Sequence, residues 1–233
     1  MLRLAGIGVH LFTALGSVCA LFAMLAVIEG DVRQVFCWLF VALLIDAVDG
    51  TLARAVDVEA HVARFSGERL DLVIDYVTYV FVPVIALVQG GLLAGWSGHV
   101  TAALILLSSL YHFSDLGSKA DDKCFVGFPA VWNIVAFCFF AWGSPPWLVM
   151  AMSLGLVVMT FVPLHWVHPF RVARWFALNV AVTVAGCAAG LWILATGLPG
   201  SRLPSAVLAL SSIYFLAMAI GWPWLGRSDA PSR

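Results

Sequence analysis

Long apolar segments, separated by short polar ones, follow one another along all 233 residues of the chain. Most have about the 20 residues that an α-helix needs to cross a hydrocarbon core about 30 Å thick. The interruptions predict eight transmembrane helices, over residues 5–28, 33–55, 67–89, 98–113, 126–142, 147–164, 174–196 and 204–222. We therefore predict an all-α polytopic membrane protein, built as a single integral membrane domain (residues 1–233) with a short polar C-terminal tail (residues 226–233).

Composition supports a membrane protein over a soluble one. The chain is 63% hydrophobic and 11% charged, and its mean hydropathy is +1.01. Its formal net charge of −1 argues against a nucleic-acid partner.

The basic residues are unevenly shared between the two sides of the predicted bundle. With the N-terminus inside, ten of the twelve lysines and arginines fall on the cytoplasmic side, and the other two are Arg33 and Arg202. Because cytoplasmic loops carry an excess of Lys and Arg, we predict that both termini are cytoplasmic. The second and third helices then meet their connecting loop at the cytoplasmic face.

The segment from Asp46 to Asp75 interrupts the apolar pattern with carboxylates. It holds seven of the thirteen acidic residues of the chain. An acidic side chain at membrane depth costs about 2.5–3.5 kcal/mol on insertion scales, so several together require a compensating partner. Divalent cations are the partner that we expect. For Asp57, Glu59 and Glu68 we favour a simpler role, as solvated charges paired with nearby arginines.

The spacing of these residues places them on helix faces. Positions i, i+3, i+4, i+7 and i+8 share one stripe of the second helix, and they are Asp46, Asp49, Gly50, Ala53 and Arg54. Gly67, Asp71 and Asp75, spaced by four, share one stripe of the third. Two such helices packed face to face would bring four carboxylates together. Oxygen ligands suit Mg²⁺ or Mn²⁺, and two ions could orient a pyrophosphate.

The pattern D-x-x-D-G-x-x-A-R…G-x-x-x-D-x-x-x-D resembles the signature of the CDP-alcohol phosphotransferase family. The resemblance implies a core of six helices, to which this chain adds two. It also implies that Asp46, Asp49, Asp71 and Asp75 bind two divalent cations, Mn²⁺ or Mg²⁺, under the pyrophosphate of a CDP-linked substrate. Asp75 would in addition be the general base that deprotonates the acceptor alcohol, a role for which a carboxylate within hydrogen-bond reach is chemically suited.

The same resemblance assigns a set of nucleotide contacts, which are Gly50, Ala53, Arg54, Ser66, Gly67, His10 and Thr13. His10 stands where family members carry an asparagine, and it could instead be a hydrogen-bonded polar residue inside the bundle. Twelve residues separate Arg54 from Gly67. This connection is longer than is usual in the family by about one helical turn.

The acceptor alcohol must be inferred from later segments. Residues 111–133 and 161–172 resemble the bacterial branch of the family that transfers a phosphatidyl group from CDP-diacylglycerol to choline. A quaternary ammonium group is recognised by aromatic faces and carboxylates. The candidate choline contacts are Tyr76, Tyr79, Tyr111, Trp132 and Asp115, with Phe125, Phe128, Asp121 and Asp122 as further lining residues. Singly, aromatic residues at the ends of spans are usually interfacial anchors, and acidic residues in loops are usually solvated.

Several alternatives stay open at this point. Serine, inositol or glycerol phosphate could replace choline in the same chemistry, and intramembrane acids also occur in divalent-cation or proton-coupled transporters. The acids here cluster at one end of the helices, beside Arg54 and small residues, which favours a phosphate ligand. For the basic group His165, His168, Arg171 and Arg174 we favour topology alone, with contact to the diphosphate or to lipid phosphates as the alternative. The resemblance further implies a homodimer in a bacterial inner membrane, with the active site at its cytoplasmic face.

Overall fold

The computed structural model describes residues 2–62, 64–118, 120 and 123–225, apart from the side chains of Leu2, Glu59 and residues 223–225. Described residues form nine helices and two short strands: α1 (Leu2–Glu29), α2 (Val32–Val56), α3 (Val58–His61), α4 (Gly67–Gln89), α5 (Gly95–Ser114), β1 (Phe125–Val126), α6 (Trp132–Ala141), α7 (Pro146–Phe161), β2 (His165–Trp166), α8 (Phe176–Thr196) and α9 (Arg202–Leu225). The eight predicted helices are all present, and α3 is an additional short one.

Five of the described helices are long and apolar enough to cross a membrane, and they are α1, α2, α4, α8 and α9. Two further apolar helices are shorter, with 10 residues in α6 and 16 in α7. The chain is thus an all-α multi-pass membrane protein, as its hydropathy predicts. By its internal contacts it divides into two compact units, Met1–Ala102 with Trp132–Phe137, and Ala103–Val131 with Cys138–Arg233.

Side-chain caps fix where the helices of the first unit begin. The Asp31 carboxylate accepts a hydrogen bond from the Gln34 N–H at 3.0 Å, and it thereby caps α2. The Ser66 hydroxyl does the same for α4, accepting from the Arg69 N–H at 3.2 Å. Ser66 therefore sets the start of the helix that carries Asp71 and Asp75.

The long connection between Arg54 and Gly67 contains the short helix α3. Val58 and Val62, at its two ends, pack with Val9 of α1 in a small buried cluster. A Cβ atom placed on Gly6 would lie 2.6 Å from Val62 Cγ2, so α1 needs a glycine at this position. The extra turn of sequence is thus folded and attached to α1, next to the start of α4.

The helix predicted over residues 126–142 begins only at Trp132. Phe125 and Val126 instead form β1, which pairs antiparallel with β2, with Phe125 opposite Trp166 and Val126 opposite His165. Gly127, with φ of +79°, follows the strand. Its N–H donates to the Leu164 carbonyl at 2.9 Å. The backbone partners of Val126, Gly127 and Phe128 thus lie far from them along the chain or outside any helix of their own, and a helix can start only after these bonds.

The second unit has its own buried contacts. Cys124, Val167, Val172, Met218 and Trp222 form one apolar cluster, against which Tyr214 packs. The Tyr214 hydroxyl donates to Asn179 Oδ1 at 2.7 Å, which ties α9 to α8. The amide of Asn179 also donates to the Arg174 carbonyl at 3.1 Å.

Candidate metal and nucleotide site

Three helices of the first unit line a single polar pocket. Its lining comes from α1, α2 and α4, in the residues Thr13, Gly16, Ala42, Ile45, Asp46, Asp49, Asp71, Ile74, Asp75 and Thr78. All four motif aspartates belong to it, together with Thr13 from the predicted nucleotide contacts. The helical spacing of the aspartates therefore predicts their convergence correctly.

Three of the aspartates approach one another closely enough to share an ion. One carboxylate oxygen from each of Asp46, Asp49 and Asp71 lies within 4.8 Å of the other two. Asp49 is 6% exposed, so its charge is largely removed from solvent. Three carboxylates at this separation repel one another strongly when ionised, and a divalent cation relieves that repulsion. The all-oxygen donor set fits Mg²⁺ or Mn²⁺.

Asp75 lies in the same pocket, one helical turn beyond Asp71 on α4, but outside the close trio. This position separates it from the three carboxylates that could hold one ion together. Its carboxylate therefore lines the pocket without belonging to the group of three that could share one ion.

Close packing of α1 against α4 forms one side of the pocket. A Cβ atom placed on Gly16 would lie 2.6 Å from Ile74 Cγ2, which is closer than real side chains approach. Both residues line the pocket. Gly16 thus allows α1 to approach the helix that carries Asp71 and Asp75.

Tyr79 is joined to the acidic cluster by a hydrogen bond. Its hydroxyl donates to Oδ2 of Asp46, and so connects α4 with α2. Tyr79 lies in a π-helical turn of α4, Tyr76–Phe81. From the sequence, Tyr79 is predicted only as a choline contact. A usable signal was present, because Tyr79 continues the four-residue spacing of Asp71 and Asp75.

The other predicted nucleotide contacts lie near the ends of the same helices. His10 packs on α4, since a Cβ on Gly67 would lie 3.3 Å from His10 Cε1. His10 Nε2 is buried and makes no hydrogen bond within the described residues. This nitrogen can therefore bind a further group. The alternative that His10 is only a hydrogen-bonded residue inside the bundle does not account for Nε2.

Arg54 and Ser66 are exposed, whereas Ala53 packs in an apolar cluster. The exposed Arg54 guanidinium donates to Thr51 Oγ1 at 3.2 Å, and its Nη1 would lie 3.4 Å from a Cβ placed on Gly50. Ala53 packs against the apolar cluster made by Val58 and its partners. Ser66, exposed, is the cap of α4 described above.

The predicted choline contacts occupy different kinds of surroundings. Tyr76 is partly exposed within the π-helical turn, and Trp132 is fully buried. Tyr111 is 54% exposed, and its ring centroid lies 5.0 Å from that of Phe161. Asp115 is exposed and accepts the Gly117 N–H at 2.8 Å.

Of the further lining residues, Phe128 is buried and its ring meets the Trp166 ring edge-on. Phe125 stacks on His168 at 5.7 Å. His168 Nδ1 also accepts the Phe170 N–H, so this histidine is part of the structure of its loop. The remaining predictions in this region, on Asp121 and Asp122, lie outside the described residues, as does the tail 226–233.

Comparison with known proteins identifies relatives that cover most of the chain. No family model matches it. It is similar to proteins named phosphatidylcholine synthase from Bradyrhizobium diazoefficiens (42% identity, covering 82% of this chain and 80% of the relative) and Pseudomonas aeruginosa (39%, covering 91% and 87%). A protein of the same name from Brucella melitensis is 35% identical, and the match covers 97% of this chain and 83% of the relative. These relatives are consistent with the resemblance of the aspartate motif to the CDP-alcohol phosphotransferases. The chain belongs to the phosphatidylcholine synthase family.

Proposed function

We propose that this enzyme transfers the phosphatidyl group of CDP-diacylglycerol to choline, forming phosphatidylcholine and CMP. The observation that carries the proposal is the trio of carboxylates within 4.8 Å of one another in the pocket of α1, α2 and α4. In a chain of the phosphatidylcholine synthase family, such a trio suits the divalent cations that accompany diphosphates. We place the reaction at the cytoplasmic face of a bacterial inner membrane, with both termini in the cytoplasm, because of the uneven distribution of basic residues.

Asp46, Asp49 and Asp71 would hold the cation, with Asp75 as a ligand of a second ion. When bound, Mg²⁺ or Mn²⁺ neutralises charge on the diphosphate and on the departing phosphate. Asp49 is the least exposed of the four aspartates, so its carboxylate would be the ligand most shielded from solvent.

Asp75 is the proposed general base. Its carboxylate would take the proton of the choline hydroxyl as the oxygen attacks the phosphorus that carries the diacylglycerol. A bond from the choline oxygen to that phosphorus forms, and the bond from the phosphorus to the oxygen of CMP breaks. The location of Asp75 beside the close trio, rather than within it, supports this division of roles.

For the nucleotide we propose the residues around the start of α4 and the end of α2. Thr13 and His10 of α1 offer polar atoms, and the buried His10 Nε2 has no partner among the described residues. Gly67 and Gly50 allow close approach to the backbone, and Arg54 supplies positive charge. Ala53 and Ser66 complete the proposed set.

Choline recognition by Tyr76, Tyr79, Tyr111, Trp132 or Asp115 stays a prediction for each residue separately. An aromatic face within about 6 Å of the ammonium group would stabilise the cation without hydrogen bonds. The homodimer and the single integral domain likewise stay predictions.

The test is an acceptor assay with purified protein in detergent. CDP-diacylglycerol and Mn²⁺ are supplied with choline, serine, inositol or glycerol phosphate in parallel, and CMP release is measured. We expect CMP release with choline, its loss when EDTA removes the metal, and its return when Mn²⁺ is restored. A variant with Asp49→Ala provides the background rate. Release of CMP with serine but not with choline would contradict the proposed acceptor.

A further inference from the structure

The hydrogen bond between Tyr79 and Asp46 suggests a role for Tyr79 beyond lining a substrate pocket. We propose that Tyr79 is a positioning residue, whose hydroxyl orients the Asp46 carboxylate for binding a divalent cation. The inference rests on the proposed function, since it concerns the same metal site.

The chemistry of the pair supports this role. The phenol hydroxyl donates to Oδ2 of Asp46, so it fixes one oxygen of the carboxylate. A carboxylate has about four lone-pair positions on two oxygens, which leaves Asp46 able to bind a cation at the same time. Ligating carboxylates are commonly held in this way by a hydrogen-bond donor that does not touch the metal. Removing such a donor costs about 10–100-fold in metal affinity or activity.

The backbone of α4 is adapted to place Tyr79. In a regular α-helix, residues four apart drift by about 40° around the axis, so Tyr79 would be turned well away from Asp71. The i→i+5 turn at Tyr76–Phe81 contains about one more residue per turn and rotates less per residue. This slower rotation opposes the drift and brings Tyr79 back toward the stripe of Asp71 and Asp75. Turns of this kind are rare and are frequently found at functional sites.

Orienting Asp46 and contacting choline require different parts of the Tyr79 side chain. A choline contact needs the aromatic face, which phenylalanine retains. A positioning role needs the hydroxyl, which phenylalanine lacks. Tyr79→Phe therefore separates the two, and because the ring and its packing are kept, we expect the variant to fold.

The matched control is Tyr214→Phe. Tyr214→Phe also loses a bonded hydroxyl, the one that donates to Asn179 in the second unit, and neither Tyr214 nor Asn179 lies near the aspartate motif in sequence. Both variants thus lose a hydrogen bond between two helices, but only Tyr79 bonds to a proposed metal ligand.

The experiment measures Mn²⁺ alone, without substrates. Free Mn²⁺ is titrated by electron paramagnetic resonance against the native protein and both variants, and thermal unfolding is recorded with and without Mn²⁺. We expect the Kd for Mn²⁺ to rise about 10-fold or more in Tyr79→Phe and to stay at the native value in Tyr214→Phe. At saturating Mn²⁺, the KM for choline of Tyr79→Phe should stay within about twofold of native, since phenylalanine retains the aromatic face.

An unchanged Kd for Mn²⁺ in folded Tyr79→Phe would overturn the inference and leave the proposed function standing. A raised KM for choline with unchanged Mn²⁺ affinity would overturn it too, and would assign the Tyr79 hydroxyl to substrate binding instead of to the orientation of Asp46. Failure of the native protein to bind Mn²⁺ would instead overturn the metal-dependent function on which the inference rests.

Discussion

The four motif aspartates and the predicted choline contacts are two groups of residues chosen from the sequence, but the sequence determines the surroundings of the first group much more closely than those of the second. Asp46 and Asp49 are three residues apart on α2, and Asp71 and Asp75 are four apart on α4, and all four line one pocket. The choline candidates range from the fully buried Trp132 to Tyr111 with 54% of its surface exposed.

The difference lies in what carries each prediction. The spacing of residues on a helix sets the direction of their side chains relative to one another, so two acidic stripes facing each other converge. A residue type near a helix end sets no direction, because aromatic side chains there also serve as interfacial anchors. Experiments on the two groups should therefore give effects of different size.

The largest effect should come from Asp75→Asn. We expect turnover to fall about 10²–10⁴-fold, the range that a general base contributes. Mn²⁺ should still bind, because Asp46, Asp49 and Asp71 are retained. CMP release and Mn²⁺ titration measure the two properties. Glu68→Gln, which neutralises an exposed carboxylate in the first turn of the same helix, should keep native turnover. Full activity of Asp75→Asn would exclude Asp75 as the base.

The fold shows which features were predictable from local sequence. Hydropathy predicts the eight helices because each apolar segment carries its own signal. The β1–β2 pair was missed because it depends on bonds between distant residues, such as Gly127 N–H to the Leu164 carbonyl. Helix α3 was missed for a related reason, since Val58 and Val62 take part in a cluster with Val9 that only the folded chain brings together.

In the acidic pocket, too, contacts between residues distant in sequence could not be predicted from local patterns. Convergence of the aspartates follows from helical spacing, but the bond from Tyr79 to Asp46 depends on the π-helical turn and on the packing of α2 beside α4. The segment YVTYVF carries no pattern that indicates such a turn. Sequence thus predicts which carboxylates meet, and the tertiary structure decides which neighbours orient them.

An intermediate effect should come from Gly16→Ala, which tests the packing that closes the acidic pocket. The new Cβ would lie 2.6 Å from Ile74 Cγ2, and this methyl cannot move without rotating the whole β-branched side chain. Overpacking of this kind costs about 1–3 kcal/mol. We expect a lower unfolding temperature in detergent.

Gly8→Ala on the same helix is the matched control. A Cβ there has nothing within 4 Å, and alanine in a helix interior is more favourable than glycine by about 0.5–1 kcal/mol. Its unfolding temperature should stay level or rise. Equal changes in the two variants would show that the α1–α4 approach at Gly16 is not tightly packed.

The smallest effect should come from Tyr111→Ala, which tests one of the predicted choline contacts. If the Tyr111 ring contacts the choline ammonium, its loss removes a cation–π interaction worth about 0.5–1 kcal/mol at an exposed site. That energy corresponds to a rise of about two- to fivefold in the KM for choline. Leu110→Ala removes a neighbouring side chain that is 50% exposed and should leave the KM unchanged. Equal KM values in the two variants would show that the Tyr111 ring does not contribute to choline binding. The contact of its ring with the Phe161 ring would then be the role that remains for it.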